Sequence, residues 1–248
     1  MIREAPETVQ LRVPPLDTFP IRPVRPDLVQ RLQAVAAAQG SFLATFGLEL
    51  KAAALAARSG DAQDRRTFRR FVGRPAIEPT LLVAWRHLSD RDTTAVNLQE
   101  AASVLLGGKA EMASGQMRTT PAADGSTTYY APVEERAQWE STLREGRRRA
   151  PCPVSRALFA YFVMILCHPL RDGNGPVGRG LILGSLCADN IVQGPQIPLG
   201  PAFYRGADLV AGTMQRLSET GDWESAITAL ARLLDFACDD GEAVAALL

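Results

Sequence analysis

Apolar residues recur every three or four positions along most of this chain, and short breaks rich in Gly, Pro, Asn and Asp separate the stretches. That is the pattern of amphipathic helices joined by turns. Asp27 stands where an N-cap would, and a helix is expected from there to about Gln39, ended by Gly40. Ser41 opens another, rich in Ala and Leu, that stops near Ser59-Gly60. A short basic helix, Asp61 to Val72, precedes the Gly73–Pro75 break. Pro79 to Leu88 fits a helix begun by proline, and Val96 to Leu106 fits one closed by Gly107-Gly108. Periodicity returns from Val133 to about Arg149. The segment from Val154 to Cys167 is apolar nearly all round, as a central buried helix must be. A helix from Pro176 to Asp189 carries Gly178, Gly180 and Gly184, which permit close contact with a neighbour. Two amphipathic helices, about Gly206–Thr220 and Trp223–Asp239, complete the pattern.

Two regions depart from it. Residues 1–25 hold Pro6, Pro14, Pro15, Pro20 and Pro23 and read as an extended arm lying over the domain. Residues 115–132 hold Pro121, Asp124-Gly125 and a Thr/Tyr-rich run from Thr127 to Tyr130, a β-hairpin signature centred on Asp124-Gly125. The expected fold is all-α with one hairpin.

Composition narrows the function classes. A chain of 248 residues forms one large domain or a domain with an extension, and buries roughly 70–75% of its unfolded surface. Its formal net charge is zero, so no global field favours nucleic acid or an anionic membrane. Mean hydropathy is −0.03, and no stretch approaches the ~18 apolar residues of a membrane span. The N-terminal residues Met1 to Pro6 lack the apolar core of a Sec signal. Cys152, Cys167, Cys187 and Cys238 are widely spaced, which suggests neither a zinc pair nor a disulfide framework. They are expected to be buried, reduced thiols of a cytoplasmic protein, or of an effector secreted without a Sec signal.

Residues 168–179, His-Pro-Leu-Arg-Asp-Gly-Asn-Gly-Pro-Val-Gly-Arg, carry the chemistry. Gly173 and Gly175 flank Asn174 in a turn whose N–H groups can converge on an anion. The following helix points its positive dipole end at the same place. Pro176 suits the first helical position, where its missing N–H costs nothing. Arg179 then lies one turn in, its side chain leaning back toward the turn, where a guanidinium grips phosphate oxygens in bidentate fashion. Asp172 suits a hard cation such as Mg²⁺ bridging phosphates, and His168 suits proton abstraction from an attacking hydroxyl. The segment reads as a phosphate site with a base beside it.

This segment resembles the signature of the Fic family, His-x-Phe-x-(Asp/Glu)-Gly-Asn-Gly-Arg-x-x-Arg. His168, Asp172, Gly173, Asn174, Gly175 and Arg179 match, Leu170 replaces the phenylalanine, and Pro176 replaces the first arginine. Gly115 to Arg118 and Tyr130 to Pro132 sit where the family has its β-hairpin flap, and Thr220 to Trp223 resembles part of its closing helices. The likeness covers roughly residues 78–240. It implies an N-terminal arm and helical extension over residues 1–77 and a Fic-like catalytic domain over 78–248. The resemblance also implies a central buried helix–turn–helix motif. The implied function is transfer of AMP from Mg-ATP to a hydroxyl of a target protein, with ATP as co-substrate. In that scheme His168 is the base and Asp172 holds Mg²⁺. Gly173, Asn174, Gly175 and Arg179 hold the phosphates, and the target docks on the flap, residues 116–132. Pro176 removes a charge-assisted contact worth about 1.5–3 kcal/mol, for which Lys109, Arg118 or Arg205 are candidate replacements. Two alternatives stay open: another phosphate-containing donor or a small-molecule acceptor, and a non-catalytic binding module that keeps the fold.

Other features read as structural. Arg147, Arg148 and Arg149 suit a helix C-terminus; Arg65, Arg66, Arg69 and Arg70 are diluted by Asp61 and Asp64; His87 has no ligand partner at useful spacing. Many Fic proteins carry an inhibitory helix, (Ser/Thr)-x-x-x-Glu-(Gly/Asn). Ser141 to Gly146 fits that string but follows the flap, where the family does not place it. Thr45 to Leu50 lies in a plausible position, yet Leu50 breaks the pattern and makes Glu49 a relic at most.

Overall fold

The computed structural model describes residues 8–39, 48–57, 88, 93–114, 127–130, 134 and 137–246. Its elements are β1 (Thr8–Gln10), a 3-10 turn (Leu16–Thr18), α1 (Asp27–Gln39), α2 (Leu48–Ala57), α3 (Ala95–Leu106), β2 (Thr127–Tyr129), α4 (Trp139–Arg149), α5 (Pro153–Cys167), α6 (Asn174–Ala188), α7 (Leu199–Arg205), α8 (Ala207–Thr220) and α9 (Trp223–Ala245). The expected helices over Asp61 to Val72 and Pro79 to Leu88, apart from Leu88 itself, lie outside the described residues.

The fold is built around α5. Twelve of its fifteen residues are buried, so it must be wrapped on every side, as its unbroken apolar run requires. Cys152 caps its start, the sulfur accepting the Ser155 N–H at 3.5 Å, and Pro153 occupies the first turn. Glycines let the neighbours in. A Cβ on Gly146 of α4 would stand 2.0 Å from the Phe159 ring, and one on Gly178 of α6 would stand 2.8 Å from the Tyr161 ring. An aromatic cluster closes the other flank. The Trp223 ring centre lies 5.2 Å from that of Phe159, 5.7 Å from Phe162 and 5.4 Å from Phe19 of the N-terminal arm.

That cluster explains why the proline-rich arm lies where it does. Phe19 is buried, and polar contacts fix the backbone around it. Trp223 Nε1 donates to Pro15 O at 3.1 Å, Thr18 Oγ1 donates to Gly221 O at 2.9 Å, and the Ser218 hydroxyl both accepts from Arg12 N and donates to Arg12 O. Beyond the arm, Leu28, Leu32 and Val35 bury the inner face of α1. Arg25 bonds Asp27 and Asp235, and Arg31 bonds Asp239 and Glu242, tying α1 to α9. These pairs are partly exposed, so they set register more than stability.

Several expectations are corrected. The hairpin expected over 115–132 lies mostly outside the described residues, but its Thr127–Tyr129 stretch, β2, pairs in parallel with β1, in the register Thr8↔Thr127, Val9↔Thr128, Gln10↔Tyr129. The arm therefore contributes a strand. Of the helix expected from Val133, Glu134 is helical, Val133, Glu135 and Arg136 lie outside the described residues, and a turn at 137–138 precedes α4, which starts at Trp139. α6 starts at Asn174, which puts Pro176 at its third position. α7 was not foreseen, and α9 runs six residues past Asp239. Arg147 is no solvated dipole partner: it is buried and donates to Thr93 Oγ1 at 3.2 Å and Ser185 Oγ at 3.1 Å, linking α4 to α6. Arg148 and Arg149 pair with Glu145 instead. Among the described residues no helix is long and apolar enough to cross a membrane.

Trp223 is fully buried and joins arm, α5 and α9. Trp223→Ala is expected to lower unfolding free energy by about 3–5 kcal/mol, read from urea denaturation.

Candidate functional site

The site forms where α5 ends and α6 begins. His168 terminates α5 with its N–H on Met164 O at 3.2 Å and a left-handed backbone, φ 48° and ψ 55°. A non-glycine residue there costs roughly 1–2 kcal/mol, and such strain concentrates at working sites. The left-handed step turns the chain off the helix axis into Pro169 and Leu170. Leu170 is fully buried, so the residue that replaces the family's phenylalanine still anchors the loop by packing.

Asn174 fixes the loop's shape. It is 3% exposed; its Oδ1 accepts Leu170 N–H at 3.0 Å and its Nδ2 donates to Leu170 O at 2.7 Å. Both ends of its amide are therefore spent inside the loop, and only its backbone remains for a ligand. Gly173 adopts φ 87° and caps α6, with Leu106 of α3 packed 3.3 Å from where a Cβ would stand. Its N–H goes to Asp172 Oδ1 at 2.7 Å. Val177 N–H returns to Gly173 O at 3.0 Å, and Pro176 has no N–H. The first-turn donors without an acceptor among the described residues are thus the N–H groups of Asn174 and Gly175, at the positive end of the helix dipole. Pro176 is tolerated because any residue in the first turn lacks an intrahelical acceptor.

Arg179 lies one turn in and reaches back: Nη1 comes within 3.7 Å of the point a Gly175 Cβ would occupy. Its guanidinium carbon sits 5.4 Å from the Tyr204 ring centre, a cation–π contact that orients it. Burial pushes the Tyr161 phenol up to about 12, against the pull of the Arg179 charge. Tyr130, just after β2, stacks on the His168 ring with centroids 3.7 Å apart and planes 18° off parallel. Burial raises its phenol pKa as well. The aromatic surroundings of Arg179 and His168 had no periodic signal in the sequence, because Tyr130, Tyr161 and Tyr204 come from three separate elements.

Asp172 is exposed at the mouth of the turn. Among the described residues no three His, Cys, Asp or Glu side chains gather as a metal site. A lone carboxylate fits Mg²⁺ that arrives with a phosphate chain, which supplies further oxygen ligands, and does not fit a resident ion. A second strand of chain braces the turn: Arg171 N–H donates to Glu111 O at 2.9 Å, Ala113 N–H donates to Pro169 O at 2.8 Å, and Arg171 pairs with Glu111 at 3.2 Å. Among the candidates to replace the missing arginine, Arg205 is excluded because Asp240 holds it. Arg118 lies outside the described residues, and Lys109 is exposed next to the bracing strand. Glu145 is bonded by Arg148 and Arg149, which hold its carboxyl down at about 2, so it belongs to its own helix. The Glu49 side chain lies outside the description.

Two outcomes follow from this geometry. Asn174→Ala leaves the buried Leu170 N–H and C=O unmatched, and is expected to cost about 2–4 kcal/mol in denaturant unfolding and to lose any phosphate binding. Tyr161 keeps its proton in the folded protein above the ordinary range, so its contribution is intact below pH 10 and is lost as pH rises toward 12. Cys238, pushed up to about 12 by burial, acts the same way from pH 9. Melting temperature should fall steeply across pH 9–12, and Tyr161→Phe should flatten the upper part of that fall.

No family model matches the chain. It is 33% identical over 81 residues to the protein adenylyltransferase fic-1 of Caenorhabditis briggsae, a match spanning 32% of this chain and 16% of that protein. It superposes on the crystal structure of a Fic family protein from Desulfovibrio desulfuricans G20 with a TM-score of 0.60 at 12% identity, over 92% of this chain and 77% of that one. The left-handed histidine, the amide-locked loop and the returning arginine thus lie within an architecture of known type: the chain has the fold of the Fic family.

Proposed function

We propose that this protein transfers AMP from Mg-ATP to a hydroxyl of a target protein. The observation that carries the reading is that three groups stand at the end of α5 and in the first turns of α6. These are the His168 ring at the end of α5, the unclaimed N–H groups of Asn174 and Gly175, and the Arg179 guanidinium folded back over Gly175. His168 takes the proton of the incoming hydroxyl. The two N–H groups meet the α-phosphate oxygens as negative charge builds on them, the kind of preorganised contact that supplies the largest catalytic share. Arg179 binds the outer phosphates, and Asp172 would hold the Mg²⁺, which would supply charge neutralisation there. The hydroxyl oxygen bonds to the α-phosphorus while pyrophosphate leaves. Residues 116–132 would accept the target's backbone as an added strand, a pairing that reads little sequence.

Pro176 favours a second reading, in which the donor is a different phosphate compound or the fold serves as a binding module. Proline offers no cation where the motif has arginine, and Arg205 is committed elsewhere.

Incubation with α- and γ-labelled ATP in parallel separates these. α-Label on protein means adenylylation, γ-label alone means phosphoryl transfer, and no label favours the second reading. His168→Ala should lower transfer by about 10²–10⁴-fold with little change in melting temperature, and near-normal transfer would sink the assignment. Pro176→Arg should tighten Mg-ATP binding in calorimetry, about tenfold for each 1.4 kcal/mol regained; unchanged binding would mean a pocket shaped for another ligand.

A further inference from the structure

One edge of the strand that would receive a target is already partnered. β2 pairs along its whole length with β1, residues Thr8–Gln10 of the same chain. The next residue after β2, Tyr130, lies flat on His168. From Leu11 onward the arm is bound firmly: Leu11 is buried, Arg12 is held at both backbone ends by Ser218, and Pro15 and Thr18 are tied to Trp223 and Gly221. The arm thus has a fixed root, and among the described residues the three-residue pairing of Thr8–Gln10 is what joins it to β2.

We infer that β1 is a built-in occupant of the β2 edge that keeps Tyr130 over His168 and shuts the site. This rests on the reading of His168 as the base. A strand edge has one row of N–H and C=O groups, so a target segment and β1 cannot both use the same row. A two-stranded pairing of three residues is marginal by itself, so the tip can detach while the root holds. Detachment frees the β2 edge and the face of the imidazole together. The partner that fits is an extended peptide able to run parallel to β2 in place of Thr8–Gln10.

The test uses the full chain with Val9→Pro/Gln10→Pro. Successive N–H groups of a strand point to opposite sides, so one of the two substitutions removes a donor aimed at β2. Both precede the anchored root, and an unchanged melting temperature checks that the fold is intact. The readout independent of nucleotide chemistry is the rate at which diethyl pyrocarbonate acylates His168, followed by mass spectrometry on its peptide; His87, the other histidine, is counted separately. Tyr130→Ala removes the cover and leaves the arm in place. Acylation of His168 should rise in both variants, by about fivefold or more in the double-proline protein, the shift expected when one backbone hydrogen bond is lost. Labelled-AMP transfer should rise with it in the double-proline protein. Unchanged acylation in either variant, or a fall in transfer by the double-proline protein, overturns the inference. Faster acylation with no transfer by any form upholds the shut edge and removes the adenylylation reading instead.

Discussion

Everything at the site depends on the burial of α5. An apolar helix wrapped on all sides cannot slide or rotate without opening voids in a close-packed interior. Its C-terminal end is therefore a fixed point, and His168 caps that end. The glycines at 146 and 178 exist for the same reason: Phe159 and Tyr161 take the space where their side chains would stand. Packing thus holds the imidazole in place far more rigidly than a loop would, and the left-handed strain at His168 is tolerated because the core on one side and the Leu170 anchor on the other leave no alternative path.

The turn that follows shows how a loop of small residues is made rigid. Asn174 spends its entire amide on Leu170, Asp172 takes the Gly173 N–H, and the 111–113 segment braces the outside. What remains unspent is what a ligand would meet: two N–H groups and one guanidinium. The electrostatic character of the site comes from subtraction.

The helical periodicity made most of the fold legible. α1 matches its expected limits, Asp27 to Gln39, and α3, α5 and α8 match within a residue at each end. Arg179 reaches back over Gly175, as its place one turn into the helix suggested. What the sequence concealed was tertiary. Asp124-Gly125 is a local turn signal, and nothing local tells β2 that its partner lies in the arm. Pro176 marks the first turn but not its position within it, since Gly173 in a left-handed conformation starts the helix two residues earlier. α7 carries Pro201 in seven residues and has too short a run for a period to show. Arg147 looked like its neighbours in an Arg-rich run, and only the opposing Thr93 and Ser185 hydroxyls distinguish it.

The arm has a consequence for how the protein comes into being. Arg12 and Ser218, which bond to one another, are 206 positions apart, and contacts of such long range form late because the loop between them must close first. During synthesis the N-terminal residues emerge at the start and find no docking surface until α8 and the beginning of α9 have left the ribosome. The anchoring of the arm is therefore a late event, which waits for helices that are made after those carrying His168 and Arg179.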